Sequence, residues 1–416
     1  MSRTRPFNTS ERYFSYRKRN TLFFLLLAVL LIFSCGPPPQ SFGFCTSKDA
    51  YQAQTQSAPS WSPDGHWLLY SHVDKFRRKG CEEYSSSDST SSYLLNLETG
   101  RSSKVDGFGF EWSDDSPSVL LSVDNENKPY LFNPQNQEKK ALTRIENATR
   151  YAWAPDGNIL QSFDPAGSTF SAVITRPTGE EVRKLGPFTH KAETLPDYSW
   201  LSNSGQLLVL SSQAATSKAT WNLSLLRYGP NPDEKVTLWS QEKSTANVYS
   251  LMVSPDEKYA RFILNKPSAP RTTLYLVDLS TTKIRPIFEG ESIQFTSWDK
   301  HRPSWTRNSE FLAFSGKETI SDDHEIFSYE IGTGQLRQLT HTTGRAGAAE
   351  NRDATWSPDL REIIFSSNKD SETIDRKLST EDLYRLNIKT RVLTRLTCSH
   401  AALTNGPLPD WRCWPW

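Results

Sequence analysis

A chain of 416 residues can bury a large core, and thirteen tryptophans, 25 prolines and 20 glycines suit a turn-rich all-β protein. The formal net charge is +1, but six bases and one acid fall within residues 1–34, and taking that +5 away leaves −4 for the rest. A mildly acidic body excludes the basic surface that non-specific nucleic-acid binding requires, so no nucleic-acid partner is expected.

The basic stretch ends at Arg19, and the uncharged run from Thr21 to Ser34 comes next. That run is shorter than the ~20 residues a spanning helix needs. A basic flank before a short apolar core is the pattern of an export signal, here residues 1–34. Ile32-Phe33-Ser34-Cys35 closes the run. It resembles the lipobox of bacterial lipoproteins, which implies a lipid anchor at Cys35, a membrane contact through it and a place in the cell envelope. Simple cleavage, giving a secreted or periplasmic protein, is the alternative. Residues 35–56 carry Pro37-Pro38-Pro39 and are otherwise polar and unpatterned, so they read as a tether.

Tryptophan-anchored turns organise the remainder of the chain. The clearest is Ser60-Trp61-Ser62-Pro63-Asp64-Gly65, running into the apolar Trp67-Leu68-Leu69-Tyr70. The series continues at Trp112, Trp153, Trp200, Val253, Trp305 and Trp356, with gaps of 41 to 53 residues. Proline presets φ at the second turn position, aspartate bonds neighbouring amides, and glycine supplies φ > 0. Each unit then holds a second strand, a variable loop, a third strand (Tyr93 to Leu97, Leu274 to Leu279), a tight turn and a fourth strand. The fourth often closes on leucine-threonine, as at Leu339-Thr340 and Leu396-Thr397. Four short strands per unit at a period near fifty predict a β-propeller over residues 57–416, with seven blades; six or eight fit the spacing less well.

These turns, strands and closing pairs resemble the TolB-like β-propeller family, related to WD-type repeats, over residues 57 to about 397. The resemblance implies a binding platform. TolB itself has an extra domain before its propeller, and residues 36–56 are too short for one. The fourth and sixth units lack the Pro-Asp pair, and the fifth replaces the tryptophan with Val253. Trp61, Trp112, Trp153, Trp200, Trp305 and Trp356 are expected to pack between adjacent blades as structural anchors.

The tight turns share one face of such a propeller. The long second-to-third and inter-blade loops share the other, where binding residues are expected to concentrate. Three residues before the anchors stand Arg150, Asp197, Arg302 and Asp353, a mixed-charge ring at the expected channel mouth: a ligand site or a set of ion pairs. Asp322-Asp323-His324-Glu325 and the Asp370, Glu372, Asp375 group are carboxylate-rich but lack a complete calcium-loop spacing, so no metal or cofactor is expected. Lys75, Arg77, Arg78 and Lys79 form a basic cluster in the first long loop. Gly-x-Ser-x-Gly, His-Glu-x-x-His and phosphate-loop motifs are absent, and the seven histidines stand singly, so no catalytic residue is assigned.

With Cys35 acylated, Cys45, Cys81, Cys398 and Cys413 remain, an even number that suggests two disulfides with three possible pairings. All lie near the chain ends, where the last blade meets the first, and the tail 399–416 is expected to latch the ring. The sequence thus predicts a monomeric, non-catalytic envelope protein that offers its long-loop face to a protein or polysaccharide partner. The alternative is a hydrolase or lyase acting on a sugar or peptide in the channel.

Overall fold

The computed structural model describes residues 50–78, 89–113, 119–122, 128–143, 148, 150–154, 157–163, 169–189, 197–214, 221–229, 234–266, 271–295, 304–319, 322–342, 349–371, 373–375, 378–399 and 401–404. All belong to the compact unit Lys48–Trp416. The export signal, Cys35, Cys45, Cys81, Cys413 and Arg302 lie outside the described residues.

Every regular element among the described residues is a strand, and the strands form antiparallel sheets in chain order. The first sheet joins Ala50–Trp61, Trp67–Arg78, Ser89–Asn96 and Ser102–Val105. Six four-stranded sheets succeed it. Their first strands are Phe108–Trp112, Arg150–Trp153, Asp197–Leu201, Asn247–Val253, Ser292–Gln294 and Asn351–Trp356. Thr373–Asp375 and Leu378–Ser379 form a separate two-stranded ladder that packs beside the first sheet. The C-terminal strand Ala401–Thr404 adds to the first sheet by pairing with Ala50–Ala53.

Each sheet packs on its successor through a buried apolar cluster. Leu69 and Leu94 of the first sheet meet Trp112 and Phe132 of the second. The same arrangement joins third to fourth, fourth to fifth, fifth to sixth and sixth to seventh. Ile364 and Leu383 of the seventh sheet then pack on Leu68 and Tyr70 of the first. First strands lie side by side where the second sheet meets the third, the fourth meets the fifth and the seventh meets the first, which places them at the inner edge. Trp112, Trp153, Trp200, Trp305 and Trp356 sit in these inter-sheet clusters, each 8 % exposed or less, and partly buried Trp61 packs at the seam. Trp112 Nε1 donates to the Ser60 carbonyl at 3.0 Å and Trp153 Nε1 to that of Glu111 at 3.1 Å, so each indole reaches back to the residue before the preceding anchor.

The turn after the anchor is built from one hydroxyl and one carboxylate. Ser254 Oγ donates to Asp256 Oδ1 at 2.7 Å and accepts from the Tyr259 amide at 3.0 Å, while Asp256 Oδ1 accepts from the Lys258 amide at 3.1 Å. Ser357 and Asp359 repeat these contacts. In the sixth unit Thr306 accepts from the Phe311 amide at 2.9 Å and Asn308 from the Glu310 amide at 3.1 Å. Threonine and asparagine thus make the backbone contacts of the Ser-Pro-Asp turn without proline. The next residue takes a left-handed φ in each case: +77° at Gly65, +58° at Glu257, +60° at Ser309 and +62° at Leu360.

The structure corrects two expectations. The first strand begins at Ala50, inside the stretch read as tether. Its polar glutamines hid it, but Ala53, Thr55 and Gln56 are buried. The sixth sheet's first strand is split: Ser292–Gln294 pairs with Ser315 to Lys317, and Trp305 makes only an isolated bridge to Leu312.

Candidate functional site

Inner strands bulge just before their anchors. Register shifts fall between Ser57 and Ser60, Phe108 and Glu111, Tyr249 and Met252, and Arg352 and Thr355. Ala58, Ser250 and Asp353 carry left-handed φ values of 51°, 63° and 58° there. A bulge leaves an amide outside the ladder, and a carboxylate of the preceding sheet takes it up at Ala58 and Leu251. Asp353 Oδ2 accepts from the Ala58 amide at 3.2 Å and from Ser366 Oγ at 3.3 Å. Asp197 Oδ2 accepts from the Leu251 amide at 2.7 Å, and Glu111 Oε2 from the Trp153 amide at 2.7 Å. The two aspartates of the expected charged ring thus stitch one inner strand to the next. Arg150 begins the third sheet's first strand opposite Ser162. Of the four, only the side chains of Asp197 and Asp353 are described, and each bonds the inner strand that follows it.

The fifth sheet holds a buried cation. Arg261 is 1 % exposed. Its Nη1 donates to Ser250 O and Ser250 Oγ at 2.9 Å, and its guanidinium lies 3.3 Å from the Phe295 ring centre. Burial pushes its pKa down to about 9, against the pull of Asp197.

The densest polar cluster lies where the sixth, seventh and first sheets meet, at the long-loop ends of their strands. Its members begin strands: His324 and Glu325 before and in Glu325–Glu330, Asn351 and Arg352 in Asn351–Trp356, Glu381 and Asp382 at Asp382–Asn387. Most carboxylates are committed. Glu325 accepts from Thr340 Oγ1, the Thr342 amide and Asn351 Nδ2. Asp382 accepts from Arg395, Thr397 Oγ1 and the Ser399 amide. Arg352 pairs with Glu381 and reaches Glu350 at 3.3 Å. Burial alone would depress Arg352, but Glu381, Glu350 and Asp353 outweigh it and raise its pKa. Burial raises the Glu381 carboxyl above the ordinary range while Arg352 opposes. On the first sheet, Gln56 Nε2 lies 2.7 Å from His72 Nδ1, and His72 Nε2 lies 3.1 Å from Asp74 Oδ1.

Four buried polar atoms in this region have no hydrogen-bond partner among the described residues: Gln56 Oε1, His324 Nε2, Asn351 Oδ1 and Arg352 Nε. Buried polar atoms are nearly always satisfied, by protein, ordered water or a bound molecule. The acidic run 322–325 does not converge. Asp322 accepts from the Thr319 amide and Asp323 from the Ala349 amide. Asp370 accepts from Tyr384 OH at 2.8 Å. Among the described residues no three His, Cys, Asp or Glu side chains come together to hold a metal. Cys398 is disulfide-bonded.

Burial depresses the His324 pKa; Lys317 and Arg352 add to the shift, and Glu350 and Asp323 oppose it. Between that lowered value and about 6.5 the unfolded chain binds a proton that the folded chain refuses. Stability is therefore lost as pH falls below about 6.5. His324→Gln is expected to lose less stability than the wild type between pH 7 and pH 5.5, read from urea midpoints at each pH. Parallel losses would show that His324 titrates normally.

No protein-family model matches the sequence, and no curated protein matches it. Solved structures do match. An oligogalacturonate lyase in complex with manganese aligns at a TM-score of 0.51 with 12 % identity, covering 80 % of this chain and 90 % of its own. The β-propeller domain of the Trilobed protease from Pyrococcus furiosus, described as having an open velcro topology, aligns at 0.53 with 10 % identity, covering 83 % and 98 %. The acylaminoacyl peptidase of Pyrococcus horikoshii aligns at 0.55 with 12 % identity, covering 83 % of this chain, which spans about half (52 %) of the peptidase. At such identities the likeness is one of fold. The chain has a propeller-like all-β fold.

Proposed function

We propose that the seven sheets are blades of a closed propeller that takes a polar ligand, a sugar or peptide segment, at the long-loop ends of the sixth, seventh and first blades, and acts on it as a hydrolase or lyase. The observation that carries the binding site is the group of four partnerless buried polar atoms on Gln56, His324, Asn351 and Arg352. A neutral imidazole beside a guanidinium offers a proton acceptor and a charge-stabilising donor, the two roles such chemistry needs. The solved neighbours, which include a lyase and peptidases, support turnover over inert display.

A second reading is a non-catalytic scaffold of the bacterial cell envelope that presents the long-loop face to a protein or other polymer. It is favoured by one observation: Asp197, Asp353, Glu325 and Asp382 all spend their carboxylates on structural hydrogen bonds. In either case we place the protein outside the cytoplasm, held at a membrane through Cys35.

The test is to incubate the purified full-length protein with polysaccharide and peptide panels. Reducing ends, unsaturated sugar products and new amino termini are then measured. Turnover of one class, abolished by His324→Ala without change in the circular dichroism spectrum, is the expected result. Binding without turnover would leave the scaffold reading, and neither binding nor turnover would remove the site.

A further inference from the structure

We infer that the first sheet carries a saccharide subsite, built from Gln54, Gln56, His72, Asp74 and Tyr93, for a neutral, hydroxyl-rich sugar chain. The inference rests on the ligand site proposed above and names its substrate class.

The geometry begins with length. The strands Ala50–Trp61 and Trp67–Arg78 have 12 residues each, twice the length of their counterparts Asn351–Trp356 and Glu362–Ser367 in the seventh sheet. The added length lies at the long-loop end. Directly opposed residues of an antiparallel pair share a face. Gln54 opposes Asp74 and Gln56 opposes His72, and on the next strand Ser91 opposes His72 and Tyr93 opposes Tyr70. These residues therefore line one face. That face points toward the seventh sheet, because Tyr70 packs with Ile364 and Leu383 there.

The side chains form an ordered ladder. Asp74 Oδ1 takes hydrogen bonds from Gln54 Nε2 at 3.3 Å and from His72 Nε2 at 3.1 Å. Gln56 Nε2 can only donate, so its contact with His72 Nδ1 leaves the ring N–H on Nε2, facing Asp74. Two acceptors are left over: Asp74 Oδ2, which makes no hydrogen bond among the described residues, and the buried Gln56 Oε1. The His72 ring lies 5.3 Å from Tyr93, which stacks on Tyr70 at 5.8 Å. Asp74 is exposed, and Gln54, His72 and Tyr93 are half-buried, so the face is open to a ligand.

This is the chemistry of sugar recognition. Planar amide, imidazole and carboxylate groups bond adjacent hydroxyls, and tyrosine offers an apolar face with a polar tip. Asp74 places a negative charge on this face, which favours a neutral sugar over an acidic one. A peptide would bind most readily as an added strand. That edge is already closed: Ala401–Thr404 pairs with Ala50–Ala53, and Glu381 bridges Thr55. Only the face remains.

The test is titration calorimetry on the full-length protein with hexasaccharides of glucose, xylose and N-acetylglucosamine, with trigalacturonate, and with an uncharged hexapeptide. At least one neutral saccharide is expected to bind. Gln54→Ala and Asp74→Ala should each weaken it tenfold or more, and Thr90→Ala on the opposite face should leave it unchanged. Both substituted side chains reach solvent, so the variants are expected to fold, and circular dichroism checks this. Saccharide binding indifferent to Gln54 and Asp74 would overturn the subsite. Binding or turnover of only the peptide or the acidic sugar would overturn the inference while leaving the proposed function standing. No binding and no turnover of any probe would remove both.

Discussion

Ending the chain at Thr397 is expected to lower the melting temperature by about 5–10 °C. The truncation removes three seam contacts at once. It deletes the strand Ala401–Thr404 from the edge of Ala50–Ala53. It takes away Ser399, whose amide donates to Asp382 Oδ1 and whose hydroxyl donates to the Glu381 carbonyl, both at 2.8 Å. It also abolishes the disulfide at Cys398. Loss of a native disulfide costs about 2–5 kcal/mol, and each hydrogen bond adds about 1 kcal/mol. An unfolding entropy of about 2 cal/mol/K per residue turns a sum near 5 kcal/mol into a shift of that size for a domain this large.

Two narrower variants apportion the effect. Cys398→Ser keeps the strand and loses the cross-link; Ala402→Pro keeps the cross-link and removes an amide opposite Gln52. Each should fall between wild type and truncation in scanning calorimetry. An unchanged melting temperature in the truncated chain would mean that the seam is held by Ile364, Leu383, Leu68 and Tyr70 alone.

The repeat was legible in the sequence because its turns are chemical signatures: a hydroxyl, an amide-bonding carboxylate and a residue that tolerates φ > 0. Even the sixth unit keeps that chemistry with Thr306 and Asn308. The start of the first strand was not legible. Gln52, Gln54 and Gln56 show no apolar alternation, and Gln54 and Gln56 find their partners, Asp74 and His72, only on the next strand. The inner-edge positions of Asp197 and Asp353 could be read from their offset to the anchors. Their role could not, since it depends on a bulge that frees the next strand's amide. The polar cluster was missed for the same reason. His324, Arg352, Glu381 and Gln56 lie far from one another in sequence, and only the return of the seventh sheet to the first draws them together. The one local hint was the position of His324, Arg352 and Glu381 at or just before the start of a strand on the long-loop side.

Replacing Arg261 separates volume from charge in the fifth sheet. Its guanidinium fills the space between Ser250, Met252 and Phe295, with Nε lacking a partner among the described residues. Asp197 is the acid that acts on it, and that carboxylate already accepts from the Leu251 amide. A buried cation without a bonded carboxylate bears a desolvation cost that carbonyl and aromatic contacts offset only in part. Arg261→Ala should therefore be destabilising through its cavity and the orphaned Ser250 carbonyl, by about 3 kcal/mol, within the usual range for a buried large-to-small change. Arg261→Met keeps most of the volume, can place its sulfur near Phe295, and removes the charge. Its stability should lie within about 1 kcal/mol of wild type, or above it. Urea denaturation of the three proteins decides the matter through their midpoints. If the methionine variant falls as far as the alanine variant, the charge itself holds the bulge at Ser250, and Asp197 is its working partner across the fourth and fifth sheets. Asp197→Asn, which keeps an oxygen for the Leu251 amide but loses the charge, should then be as destabilising as Arg261→Met. If the methionine variant is stable, the arginine acts here as shape, and Asp197→Asn should be nearly silent.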